Sequence, residues 1–87
     1  MKPRELVTAA IEEMADLVGL PVESVSGIER DDDGTWRVTV EVRELERVPD
    51  TMDVLASYEV RLSDDGEVVG FHRTRRYPRS AADGRMG

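Results

Sequence analysis

Four carboxylates, Glu44, Glu46, Asp50 and Asp53, fall within ten residues, and Arg43 and Arg47 stand among them. Paired carboxylates can divide general acid and general base work. Interleaved arginines argue instead for a charged corner held by ion pairs, with Arg47, Pro49, Asp50, Asp53 and the downstream Tyr58 as its structural residues. Asp31-Asp32-Asp33-Gly34 has a faint likeness to a calcium loop but lacks the spaced ligands and terminal glutamate, so it reads as a solvated hairpin turn. His72 is the one histidine and has no Cys or Asp/Glu pair at ligand spacing, which suits a cross-strand or surface position. No serine nucleophile elbow, phosphate-binding glycine loop or zinc-protease helix motif occurs. The expectation is therefore no catalytic, cofactor-binding or metal-ligating residue, no cofactor, and no enzyme.

Arg73, Arg75, Arg76 and Arg79, with Tyr77 among them, form the one cluster with a binding character. They could pair with the acidic body of their own chain, or dock an acidic protein partner. Nucleic acid is the weakest reading, because too few cations stand clear of that body. The charge distribution carries this point. The net charge is −7, yet residues 67–87 hold five basic and two acidic residues, +3, which leaves −10 on the other 66. An acidic body repels phosphates, so a protein partner fits better than DNA or RNA. Arg outnumbers Lys eleven to one, as a GC-rich genome would produce, and acidity of this kind also suits a salt-rich cytoplasm.

At 87 residues the chain predicts one domain with a thin core. It has no cysteine, hence no disulfide or thiolate metal site. No apolar run reaches membrane-spanning length, no signal peptide opens the chain, and a cytoplasmic location is the expectation, with no membrane partner. No internal repeat or linker interrupts the sequence.

The elements that must position these residues follow from periodicity. Leu6, Val7, Ala10, Ile11, Met14, Leu17 and Val18 make one apolar stripe of a helix. Pro3 belongs in its first turn, Glu5 suits the positive end of its dipole, and Gly19 and Pro21 end it. A strand around residues 22–30 and another over 35–45 flank the Asp-rich turn, with Trp36, Val38, Val40 and Val42 facing one way and Arg37, Thr39, Glu41 and Arg43 the other. A three-residue loop with Gly34 left-handed sets Ile28 opposite Val38, whereas a two-residue turn would oppose Glu29 to buried Val38. The second hairpin is expected to turn on two residues, Asp65-Gly66, pairing Leu62 with Val69, Val60 with Phe71, Tyr58 with Arg73 and Glu59 with His72. The fourth strand then starts apolar and ends cationic, Val69, Phe71, Arg73 and Arg75 sharing one side. Those arginines either leave the core there or lie over Tyr58 and Trp36.

One helix followed by about four strands predicts an α+β fold (α-β-β-β-β). It is a single small two-layer domain, the N-terminal amphipathic helix packed on a mostly antiparallel sheet, spanning residues 1–78, with 79–87 a flexible C-terminal tail. The outer sheet face, with Arg37, Thr39, Glu41, Arg43, Glu59, Arg61 and His72, is solvent-facing or a docking surface. A cleft between helix and sheet, as a ligand-binding or enzymatic α+β domain would use, is the rival architecture. Val, Leu and Ala at the inner positions leave it little room.

The chain also resembles the gas vesicle synthesis protein GvpO family. The resemblance rests on Gly34-Thr-Trp36, Val38-Thr-Val40-Glu41-Val42, Glu44-Leu-Glu46-Arg47-Val48-Pro49-Asp50-Thr51, Asp53-Val-Leu55-Ala56-Ser-Tyr58-Glu59-Val60, Asp65-Gly66-Glu67 and Arg73-Thr-Arg75-Arg76-Tyr77. These stretches cover 32 of the 87 residues and are spread over most of the chain. The resemblance implies a non-enzymatic accessory role in forming gas-filled, protein-shelled buoyancy organelles, through contacts with other gas vesicle accessory and shell proteins. It implies a location with the vesicles or their assembly intermediates. Members of the family often carry a longer charged extension before the helix. This chain starts almost directly on it, and the expectation is that contacts made by such an extension are absent or weakened.

Overall fold

The computed structural model describes residues 2–80. Helix α1 (Pro3–Leu17) is followed by strands β1 (Val22–Arg30), β2 (Trp36–Leu45), β3 (Val54–Leu62) and β4 (Val68–Pro78), with a short 3-10 turn at Asp50–Met52. Pro3 opens the helix, where its missing N–H costs nothing. The Glu5 carboxylate accepts the exposed Lys2 amide at 2.9 Å. Gly19, at φ +74°, takes the left-handed residue after the last turn and donates its N–H to the Ala15 carbonyl. The four strands pair antiparallel in the order β1-β2-β3-β4.

The helix packs over β1, β2 and β3. Leu6, Ala10 and Met14 of α1 meet Val38, Val40, Val42, Ala56, Val60 and Leu62 of β2 and β3, all without solvent exposure. Each fully buried aliphatic side chain contributes about 1.5–3 kcal/mol. The expected stripe is trimmed at its end: Val7 and Val18 pack at the rim, and Leu17 is exposed.

The first hairpin has the expected register, Ile28 opposite Val38, around a loop whose Gly34 sits at φ +90°. The second departs from expectation. Ser63 donates its N–H to the Glu67 carbonyl and Gly66, also at φ +90°, donates to Ser63, so the loop has three residues and Leu62 pairs with Val68. The Ser63 hydroxyl decides this: it accepts the Glu67 amide and donates to Asp65, stabilising the wider loop. One extra residue, Val69, then restores the expected pairs Val60–Phe71, Glu59–His72 and Tyr58–Arg73.

Val69 is one of five such insertions. The registers also leave Glu23 and Ser26 of β1, Glu44 of β2 and Thr74 of β4 without an opposite partner. Each bulge shifts the alternation by one. Beyond Thr74 the faces exchange, so Arg76 joins Arg73 on the helix side while Arg75 and Tyr77 lie outward beside Ser57 and Leu55. The expectation that Arg73 and Arg75 share a face is thereby corrected. Of the two alternatives for them, a place over Trp36 is not the one taken: that ring has the Arg30 guanidinium 5.8 Å from its centre, and its N–H donates to Asp64. Tyr58 instead tilts against Phe71, ring centres 6.4 Å apart.

Candidate functional site

The acidic corner and the arginine-rich end of β4 meet, and three carboxylates organise the meeting. Asp53, 2% exposed, follows the 3-10 turn whose Pro49 and Asp50 carbonyls accept the Met52 and Asp53 amides. Its Oδ1 accepts the Arg47 backbone N–H at 2.7 Å, and its Oδ2 accepts Arg79 Nη2 at 3.1 Å. The Arg79 backbone N–H also donates to the Asp53 carbonyl, and the same guanidinium reaches Glu23 at 2.6 Å. Arg79 thus spans from the end of β4 to β1, across the sheet. The expected tail begins at this anchored residue, and its stretch 81–87 lies outside the described residues.

Glu44 forms the second centre on the helix side. It is held by Arg73 at 3.2 Å and Arg76 at 2.9 Å, with its own side chain only 12% exposed. Both arginines retain about half their exposure. The third centre is Glu41 on the outer face. Ser26 donates to one of its oxygens at 2.6 Å; Ser57, at 2.6 Å, and the Tyr77 hydroxyl donate to the other. Arg75 stacks over the Tyr77 ring at 4.2 Å and donates Nε–H to the Ser57 hydroxyl. Four of the five bulge residues serve this frame: Glu23, Ser26 and Glu44 as above, and Thr74 through its hydroxyl on the Ser57 carbonyl.

The electrostatics follow from these partners. The Arg47 amide, opposed by burial and joined by Arg79, holds the Asp53 carboxyl below its ordinary range. Burial pushes Glu41 up, but the Ser26, Ser57 and Tyr77 hydroxyls and the Arg75 charge outweigh it, and its carboxyl is held low. Burial and the adjacent Glu41 carboxylate push the Tyr77 phenol up. Carboxylates saturated with donors and locked as anions make poor proton carriers at neutral pH.

The arrangement connects the two stretches singled out in the sequence, in a way the sequence did not specify. The corner's strong ion pairs run outward to Arg73, Arg76 and Arg79 rather than among its own residues. Arg47 contributes its backbone N–H and Asp50 its carbonyl; within the corner, only Arg43 and Glu46 approach, at 3.8 Å. His72 is exposed opposite Glu59. In the Asp-rich turn, Asp33 caps Thr35 and Asp31 pairs with Arg37 at 2.9 Å. Among the described residues no three His, Asp or Glu side chains converge as a metal would need.

The helix–sheet interface is filled by core side chains. Depressions lie instead at the helix start, lined by Lys2–Glu5, and at the corner, lined by Arg47, Val48, Met52, Val54 and Pro78. The apolar character of the corner surface was missed from the sequence, where its charges dominate. The signal was Val48-Pro49 inside a charged run.

A family model described as gas vesicle synthesis protein GvpO matches residues 1–83. A Streptomyces sp. (strain CB03234) protein named gas vesicle protein O is 51% identical over 81 residues, which cover 93% of this chain and 62% of that one. Gas vesicle protein O1 of Halobacterium salinarum is 40% identical over 72 residues, 83% of this chain and 60% of that one. Gas vesicle protein O of Haloferax mediterranei is 36% identical over 70 residues, 80% of this chain and 50% of that one. The chain spans half to about three-fifths of the length of these curated relatives. No solved structure matches it.

Proposed function

The chain belongs to the gas vesicle synthesis protein GvpO family, and from that premise we propose that it is a non-enzymatic accessory protein of gas vesicle formation, working through contacts with other gas vesicle proteins. One observation carries the non-enzymatic part of this reading. The side chains that could do chemistry are committed to the fold: Glu41, Glu44 and Asp53 are each surrounded by donors, and the space between helix and sheet is packed with core residues. What the molecule offers a partner is surface.

An acidic, well-dispersed protein of this kind could hold an aggregation-prone apolar partner in solution while presenting a defined face to it. The arginine edge, Arg73, Arg75, Arg76, Tyr77 and Arg79, is one such face in this proposal, fitted to an acidic segment. Arg73, Arg76 and Arg79 hold carboxylates of their own chain, so reversing their charge would disturb folding as well as docking. Arg75 forms no ion pair with a carboxylate among the described residues; its ties to the fold are the Tyr77 stack and the Ser57 hydrogen bond, so its removal disturbs the fold less than removal of the other three. Co-purification of wild type and Arg75→Ala with the other gas vesicle proteins is the test. The expected outcome is capture by wild type and weakened capture by the variant, compared at a temperature where both retain the folded circular dichroism. Undiminished capture by Arg75→Ala would remove the arginine edge from the proposal, and no capture by wild type would remove the contact role itself.

A further inference from the structure

The corner carries a second surface, apolar rather than cationic. Leu45, Val48 and Met52 are 41%, 99% and 53% exposed, three large hydrophobic residues within eight positions. Single exposed hydrophobics are ordinary on a soluble protein; a cluster on one turn is not. Val48 and Met52 line a depression of about 460 Å³ with Val54 and Pro78, and Leu45 is the register partner of Val54. The frame beneath is fixed by the Asp53 carboxylate on the Arg47 amide, by the 3-10 turn and by Arg79 on Asp53. An apolar surface already held in one conformation loses little entropy when a partner covers it.

The fifth lining residue indicates what that partner brings. Of the cations around the corner, Arg43, Arg73, Arg76 and Arg79 each face a carboxylate of the chain within 4 Å, whereas Arg47 has no ion pair among the described residues. Its backbone is tied down, the residue is exposed, and it lines the apolar depression. We infer that this depression docks a segment of a partner protein that inserts apolar side chains against Val48, Met52 and Val54 and sets a carboxylate on Arg47. A second copy of the chain is the poorer occupant, because each copy carries a net −7, which the single Arg47 of each turn does not offset. The inference rests on the contact role proposed above and locates it on a separate patch, one that adjoins the arginine edge at Pro78.

The experiment titrates the other gas vesicle proteins of the source organism, each purified singly, against wild type, Val48→Ser/Met52→Ser, Arg47→Gln and Arg75→Ala by calorimetry. Sedimentation of this chain alone is measured in parallel. Val48 and Met52 lie outside the core and Arg47 acts in the fold through its backbone, so each variant should retain the wild-type circular dichroism. The expected result is one protein bound by wild type, bound about tenfold or more weakly by Val48→Ser/Met52→Ser and by Arg47→Gln. Equal binding by Val48→Ser/Met52→Ser and wild type overturns this inference while leaving the contact role intact. A wild-type dimer that dissociates in the same double variant overturns it in favour of a second copy. Failure of wild type to bind any of these proteins overturns both readings.

Discussion

Asp53 and Glu41 between them accept hydrogen bonds from five donors, and this gives the protein a pH dependence with a definite sign. Both carboxyls are held below their ordinary range in the folded chain. A carboxyl depressed by folding contributes stability above its unfolded pKa and loses it as pH falls through the folded value. Urea unfolding measured from neutral pH downward should therefore show stability declining below about pH 4, the region of unperturbed carboxyls. Asp53→Asn and Glu41→Gln should each be less stable at neutral pH and flatten the acid decline; parallel curves for variant and wild type would contradict the assignment. Asp53 was legible in the sequence as a corner residue, but its partner was not. Arg79 lies 26 residues away, in a stretch whose small polar composition reads as tail, and local pattern carries no information about a contact at that separation.

The helix, the four strands and the first loop were readable at the scale of elements because their signals are strong and local. The helix repeats its apolar residues on one face, β2 alternates without interruption from Trp36 to Arg43, and glycine marks the helix end and the β1–β2 and β3–β4 turns. Gly34 shows how directly such a signal converts to energy. At φ +90° it has nothing within 4 Å of where a Cβ would sit, so Gly34→Ala meets no clash and only backbone strain. Chemical denaturation should find the variant about 1–2 kcal/mol less stable, the usual left-handed penalty; an unchanged midpoint would mean the loop relaxes freely. The bulges were not readable. An added residue leaves composition and propensity untouched while exchanging every side chain beyond it between faces, and nothing near Thr74 distinguishes an insertion from continued alternation. That is why Tyr77 was assigned to the arginine edge but its bond to Glu41, on another strand, was not foreseen.

At the scale of the molecule, β1 and β4 are the outer strands of the sheet among the described residues; both are bulged, and bulging protects an edge against pairing with another chain. The two-layer architecture was legible because a one-sided helix and a one-sided sheet have to cover each other. The surfaces available to a partner were only half legible: charge could be counted from the sequence, but the exposed apolar turn depends on where the backbone carries Val48 and Met52. Arg79, joining the end of β4 to Glu23 of β1 across 56 residues, has a consequence in time. Hairpins close early because their contacts are local, whereas this tie needs the whole sheet in place and forms late. Interactions absent from the folding transition state govern how fast a protein comes apart rather than how fast it assembles. Stopped-flow kinetics of Arg79→Ala should show faster unfolding at nearly unchanged refolding rate. The tie between the first and last strands would then set the lifetime of the folded state, a clock wound only once synthesis has passed residue 79.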